Sequence, residues 1–142
     1  MTKKFPGATL KPVSYTHLDG ELEEGQIWEA AMAAASFKVD NLVALVDRNR
    51  LQASDKTENI INIGDMAGKW RSFGWEVLEI DGHDMAAILE ALDKADTIKD
   101  KPTVIIASTV KGKGVSFAEN QVGFHNSALT KEQYDQALSE LQ

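Results

Sequence analysis

Apolar residues recur along this chain in two alternating rhythms. Over 24–38, Ile27, Ala30, Ala31, Ala34 and Phe37 fall three and four residues apart, which predicts an amphipathic helix. Glutamates at its start and Lys38 at its end suit the helix dipole. Its alanine-rich face predicts close packing on a neighbouring element. The next segment, LVALV over 42–46, is a short continuous apolar run. That is the pattern of a parallel strand covered on both faces. The alternation then repeats. A short helix is predicted over 65–73, closed by Gly74, then a strand over 75–80 and a helix over 84–97. A strand over 103–107 and a last helix over 130–141 follow. Asp81-Gly82-His83-Asp84 reads as a turn that also caps the helix after it. Thr130, with Gln133 three residues on, makes a capping box. Residues 50–63 and 110–124 read as loops. VSYTHL, over 13–18, has the β-branched and aromatic residues of a strand but only weak alternation. The polar stretch 1–12 before it reads as irregular.

Strands alternating with helices predict an α/β fold, an open and mostly parallel sheet with helices on both faces. In such sheets ligands bind beyond the carboxyl ends of the strands. Three loops therefore matter most: 19–25, 47–53 and 108–125.

Composition narrows the chemistry. A chain of 142 residues suits one domain and buries roughly two thirds of its unfolded surface. A net charge of −7 argues against nucleic acid and against an anionic membrane surface. The chain has no cysteine, so disulfides and thiolate metal sites are excluded. Its three histidines alone give no zinc spacing. No apolar run reaches membrane-spanning length and the N-terminus has no signal-peptide pattern, so a cytoplasmic location is the expectation. Trp28, Trp70 and Trp75 are expected to pack in the core or an interface, and His83 to act as a local cap.

Asp19-Gly20 and Asn49 each follow a predicted strand, so both could face one crevice. A carboxylate, an amide oxygen and a backbone carbonyl are hard ligands suited to magnesium or calcium, especially beside phosphate oxygens. Gly20 leaves its N–H open to a phosphate, and the following helix would aim its positive end there. On the residues alone, Asp19-Gly20 reads more readily as a plain turn and Asn49 as a loop position. Glu21, Glu23 and Glu24 equally suit helix N-terminal charges.

Taken together, DGELEEGQIWEAAMAAASFKVDNLVALVDRNRLQ resembles the thiamine-diphosphate-binding segment of transketolases, especially the N-terminal subunit of the two-chain form. That family has Gly-Asp-Gly, then Glu-Gly opening a helix, then an asparagine about thirty residues on; Asp19 and Asn49 are 30 positions apart. IDGHD, STVKGKGVSF and NQVGFHNSAL are also similar to the family. The resemblance spans 19–142. It implies that Asp19, the Asn49 side chain and the Leu51 carbonyl hold magnesium (or calcium), with Gly20, Asn49, Leu51 and His125 around the cofactor, thiamine diphosphate. Gly20 would donate its N–H to the diphosphate. Glu24 would lie at a subunit interface on a proton path between paired sites. His125 would stand near the diphosphate and the donor substrate, with Lys111 and Lys113 in the loop beside it. The implied reaction moves a two-carbon ketol unit between sugar phosphates. The implied partner is a C-terminal transketolase subunit with the pyrimidine-binding domain, in a homo- or hetero-oligomer. The glutamate that activates the aminopyrimidine belongs to that partner, so the chain alone is expected to be inactive.

The sequence departs from the family at Leu18, which stands at the first glycine, and at Asn126, where a glycine usually follows the histidine. VSYTHL replaces an apolar strand. On these grounds residues 1–18 read as an irregular or foreign lead-in and 19–142 as the C-terminal part of the cofactor-binding (PP-type) domain, a subunit truncated at its N-terminus. The alternative expectation is a catalytically inactive α/β fragment that self-associates through exposed apolar faces.

Overall fold

The computed structural model describes residues 13–142, and the lead-in over 1–12 lies outside them. Side-chain positions for 13–17 and Asp19 also lie outside the described set. Four strands form one sheet: β1 (Val13–Leu18), β2 (Leu42–Arg48), β3 (Glu76–Asp81) and β4 (Thr103–Ser108). Their order is β1-β2-β4-β3, and every neighbouring pair is parallel. Among the described residues the α-helices are α1 (Gly25–Ser36), α2 (Thr57–Ile60), α3 (Met66–Ser72), α4 (Met85–Thr97) and α5 (Lys131–Glu140), with short 3-10 turns at Asp19–Glu23 and Val122–Phe124. The predicted α/β class is the fold observed.

VSYTHL is a strand of this sheet, as its β-branched residues suggested. It pairs with β2 from Val13↔Leu42 to Leu18↔Asp47. The reading of 1–18 as irregular is thus corrected for 13–18. Ladder bonds use backbone groups, which every residue other than proline supplies in full, so polar side chains do not prevent pairing.

Alternation along the two central strands divides the core. Ala44 and Val46 of β2, with Val104 and Ile106 of β4, meet Ala31 and Ala34 of α1 and Met66, Ala67 and Trp70 of α3. Val43 and Ile105 point the other way, toward Leu78 and toward Ala91 and Ala95 of α4. The continuous run LVALV is therefore needed, because both faces of β2 are covered. Ala30 and Phe37, expected on the packed stripe of α1, instead face outward, with Phe37 72% exposed. The buried stripe is narrower and runs through Ala31 and Ala34.

The tryptophans pack as expected. Trp28 and Trp70 ring centres lie 5.2 Å apart and Trp70 and Trp75 4.8 Å apart. The Trp75 indole N–H donates to the Ala31 carbonyl at 2.9 Å, and that of Trp28 to the Leu22 carbonyl at 2.7 Å. Caps also follow the sequence. Asp84 accepts from the N–H groups of Ala86 and Ala87, and Thr130 and Gln133 form the full capping box. The four-residue α2 falls inside the predicted loop 50–63 and is too short for any periodic signal.

Candidate functional site

The register of β1 on β2 sets the site. Leu18 ends β1 directly opposite Asp47, so Asp19-Gly20 leaves the sheet beside the chain that leads to Asn49. The first loop winds at once into a 3-10 turn, Asp19–Glu23, and Glu24 stands exposed at the N-terminal cap of α1. Glu24 makes no capping hydrogen bond with its side chain.

The second loop is held from within. Asn49 is 7% exposed, and its Oδ1 accepts the Leu51 N–H at 2.9 Å. Arg50 takes a positive φ of 64° to make the bend. The Thr57 N–H donates to the Arg50 carbonyl at 3.0 Å, and Leu51 bridges to Lys56. This arrangement suits a hard cation. An amide oxygen carries two lone pairs, so the Leu51 bond leaves one for a metal. Among the described residues no cluster of three His, Cys, Asp or Glu is placed to hold a metal. The donor set expected here is of another kind: one carboxylate, one amide oxygen and one backbone carbonyl. The Asp19 carboxylate itself is outside the described residues.

Side chains stitch the loops together across the carboxyl end of the sheet. Gln52 Nε2 donates to Glu23 Oε1, joining the second loop to the first. The Thr109 hydroxyl donates to Asp47 Oδ1, joining the third to the second. The Val110 N–H donates to His83 Nε2 at 2.7 Å, joining the third to the turn after β3. His83 is thus more than a local cap, because its ring pins another loop. An open cleft of about 650 Å³ lies beside it, lined by Asp81, His83, Ser108, Thr109 and Lys113 among others.

In the third loop, Lys111 Nζ lies 3.2 Å from His125 Nδ1, and His125 is half-buried after the 3-10 turn Val122–Phe124. With Lys111 donating, a neutral His125 carries its proton on Nε2 and presents it as a donor. Lys113 lies 3.7 Å from Glu119, whose carboxyl also accepts the Gly114 N–H at 3.0 Å. That N–H, more than the lysine, holds the Glu119 carboxyl below the usual carboxylate range.

The structure therefore brings Gly20 beside Gln52, the residue after Leu51, and His125 beside Lys111. Glu24 stands apart on the first loop. The sequence reading missed Gln52, Glu23, Asp47 and Thr109 as loop-joining residues. The available signal was position, since Asp47 and Thr109 lie at strand carboxyl ends and Gln52 directly follows Leu51.

Residues 11–141 match the family described as the transketolase thiamine diphosphate binding domain. The chain belongs to that family. Over 123 residues it is 46% identical to an apulose-4-phosphate transketolase subunit of Phocaeicola vulgatus, covering 87% of this chain and 44% of the relative. It is 44% identical over 124 residues to a 6-deoxy-6-sulfo-D-fructose transketolase subunit of Clostridium sp., covering 87% of this chain and 45% of the relative. The chain thus spans less than half the length of these family members. The crystal structure of a transketolase from Campylobacter jejuni superposes with a TM-score of 0.85 at 30% identity, over 91% of this chain and 20% of that one. The resemblance read from the motifs is the family shown by these comparisons. No helix among the described residues is long and apolar enough to cross a membrane.

Proposed function

We propose that this chain is the cofactor-diphosphate-binding part of a transketolase, moving a two-carbon ketol unit between sugar phosphates together with a partner subunit that carries the pyrimidine-binding domain. The observation that supports this reading is the parallel β1–β2 register, which ends with Leu18 opposite Asp47, so that the chains leading to Asp19-Gly20 and to Asn49 leave the sheet from neighbouring strands. In the proposal, Asp19, the Asn49 amide oxygen and the Leu51 carbonyl hold magnesium (or calcium). The Gly20 N–H donates to the diphosphate. His125, with its Nδ1 facing Lys111, offers an Nε2–H toward the diphosphate and donor sugar. Exposed Glu24 is free to meet a second subunit. Bound thiamine diphosphate supplies the carbanion chemistry, and the protein supplies binding and orientation. The relatives' named substrates, apulose-4-phosphate and 6-deoxy-6-sulfo-D-fructose, make an anionic ketose the proposed donor class.

The test is calorimetry of thiamine diphosphate on the purified chain, with and without magnesium, for wild type and Asp19→Ala. Metal-dependent heat in the wild type alone supports the assignment. No heat from the wild type at millimolar ligand would remove it. Activity is expected only after the partner subunit is added.

A second reading is a catalytically inactive fragment that self-associates. It is favoured by the apolar stripe Met85, Leu89 and Leu92 on α4, where Met85 is 67% exposed. A monodisperse monomer in light scattering would count against it.

A further inference from the structure

Gly20 is crowded on its side-chain face. A Cβ built there would lie 2.7 Å from Gln52 Cγ and 2.8 Å from Gln52 Cδ. Real side chains do not approach that closely. Gln52 Nε2 donates to Glu23 Oε1, so swinging the side chain aside breaks that bond. The stem of Gln52 therefore lies along the Gly20 backbone, and its end is fastened three residues further along the same turn.

We propose that Glu23 and Gln52 form a tie that holds the Gly20 turn against the Asn49–Leu51 loop, and so positions the two halves of the diphosphate–metal cradle. This rests on the assignment of those loops to the cofactor made above. Neither residue has to touch the cofactor. Both are positioning residues that act through the backbone of Gly20 and Leu51. The tie also gives Gly20 a second role: a side chain there would push Gln52 aside and break its bond to Glu23.

Four proteins test the tie without any ligand: wild type, Glu23→Ala, Gln52→Ala and the double variant. Urea unfolding should show that the double variant is no less stable than the weaker single one, since each substitution removes the same bond. Strict additivity would overturn the tie. Gly20→Ala should destabilise the wild type more than it destabilises Gln52→Ala, because the clash partner is already gone. Equal effects in the two backgrounds would also overturn it.

Calorimetry with thiamine diphosphate and magnesium tests positioning. Gln52→Ala should weaken binding about tenfold, the scale of one hydrogen bond's net worth. Glu23→Gln keeps an acceptor and should stay within about twofold of wild type. Unchanged affinity in Gln52→Ala would overturn the positioning role. A coupled tie in a wild type that binds no cofactor would overturn the functional assignment and leave the tie standing.

Discussion

The second and third loops leave the same end of the same sheet, yet they are held by opposite means. The loop after β2 folds inward. Asn49 and Leu51 are both buried, and the bond between them is buried too. The loop after β4 lies on the surface and is clasped by charged side chains. Glu119 accepts the Gly114 N–H, and Glu140 of α5 accepts both the N–H and the hydroxyl of Ser116. Folding the core fixes the first geometry. The second depends on ionised carboxylates in water. In the proposed assignment, metal ligands have to be held before the ion arrives, and a buried loop would do that. In the same proposal the loop after β4 lies beside the substrate and has to admit and release it, and a surface-clasped loop can yield locally.

The largest difference should come from Asn49→Leu. It removes the acceptor for a buried Leu51 N–H, and an unpaired buried donor costs about 1–3 kcal/mol. It also removes a proposed metal ligand. Urea unfolding should show the loss of stability, and calorimetry the loss of magnesium-dependent cofactor binding. Full stability in this variant would mean that the loop is held by α2 and the Leu51–Lys56 bridge rather than by Asn49.

How much of this was legible in the sequence divides along the same line. The sheet and its two covered faces could be read from LVALV and from VIIA over 104–107, because a doubly buried strand is apolar along nearly its whole length. The roles of Asn49 and Leu51 at the cofactor come from the family resemblance and stand as proposals; the structure shows that both are buried and bonded to each other. The Glu23–Gln52 and Asp47–Thr109 contacts were not legible. Each joins loops far apart in sequence, and no periodicity records which polar side chains meet across a sheet end. The outward turn of Ala30 and Phe37 was missed for a related reason. Helical spacing marks an apolar stripe but not where the neighbouring element stops covering it. The strand at 13–18 was read only faintly, because backbone pairing leaves little trace in polar side chains.

A smaller effect is expected from Gly112→Ala in the third loop. Gly112 has a φ of +75°, and a Cβ there would meet the Ala118 carbonyl oxygen at 2.6 Å. Left-handed backbone and a backbone clash together cost about 1–3 kcal/mol in a rigid setting. An exposed loop can relax, so the lower end of that range is expected in urea unfolding. The change should leave the Leu51 amide as slow to exchange as in wild type. A loss of Leu51 protection would show that the two loops are one mechanical unit, joined through Thr109 and Asp47.

The smallest and most selective effect should come from pH. Hydrogen bonds from the Ser116 hydroxyl, then Gln136 and the Ser116 N–H, hold the Glu140 carboxyl below its ordinary value of 4.5. Glu119 is lowered from the same value, chiefly by the Gly114 N–H. For a depressed carboxylate, stability is fully present above the unfolded pKa and is lost as pH falls through the folded one. Nothing should change between pH 7 and about 5. Below about 4.5 both clasps weaken together. The Leu51 N–H is held instead by a neutral amide, which does not titrate in this range. Amide-exchange protection factors measured by NMR should therefore fall at Gly114 and Ser116 on acidification while that of Leu51 holds. Glu140→Gln should show reduced Ser116 protection already at pH 7 and a flatter response to acid. If Leu51 loses protection at the same pH as Ser116, acid opens the whole molecule at once, and the contrast between a core-held and a surface-clasped loop has no energetic basis.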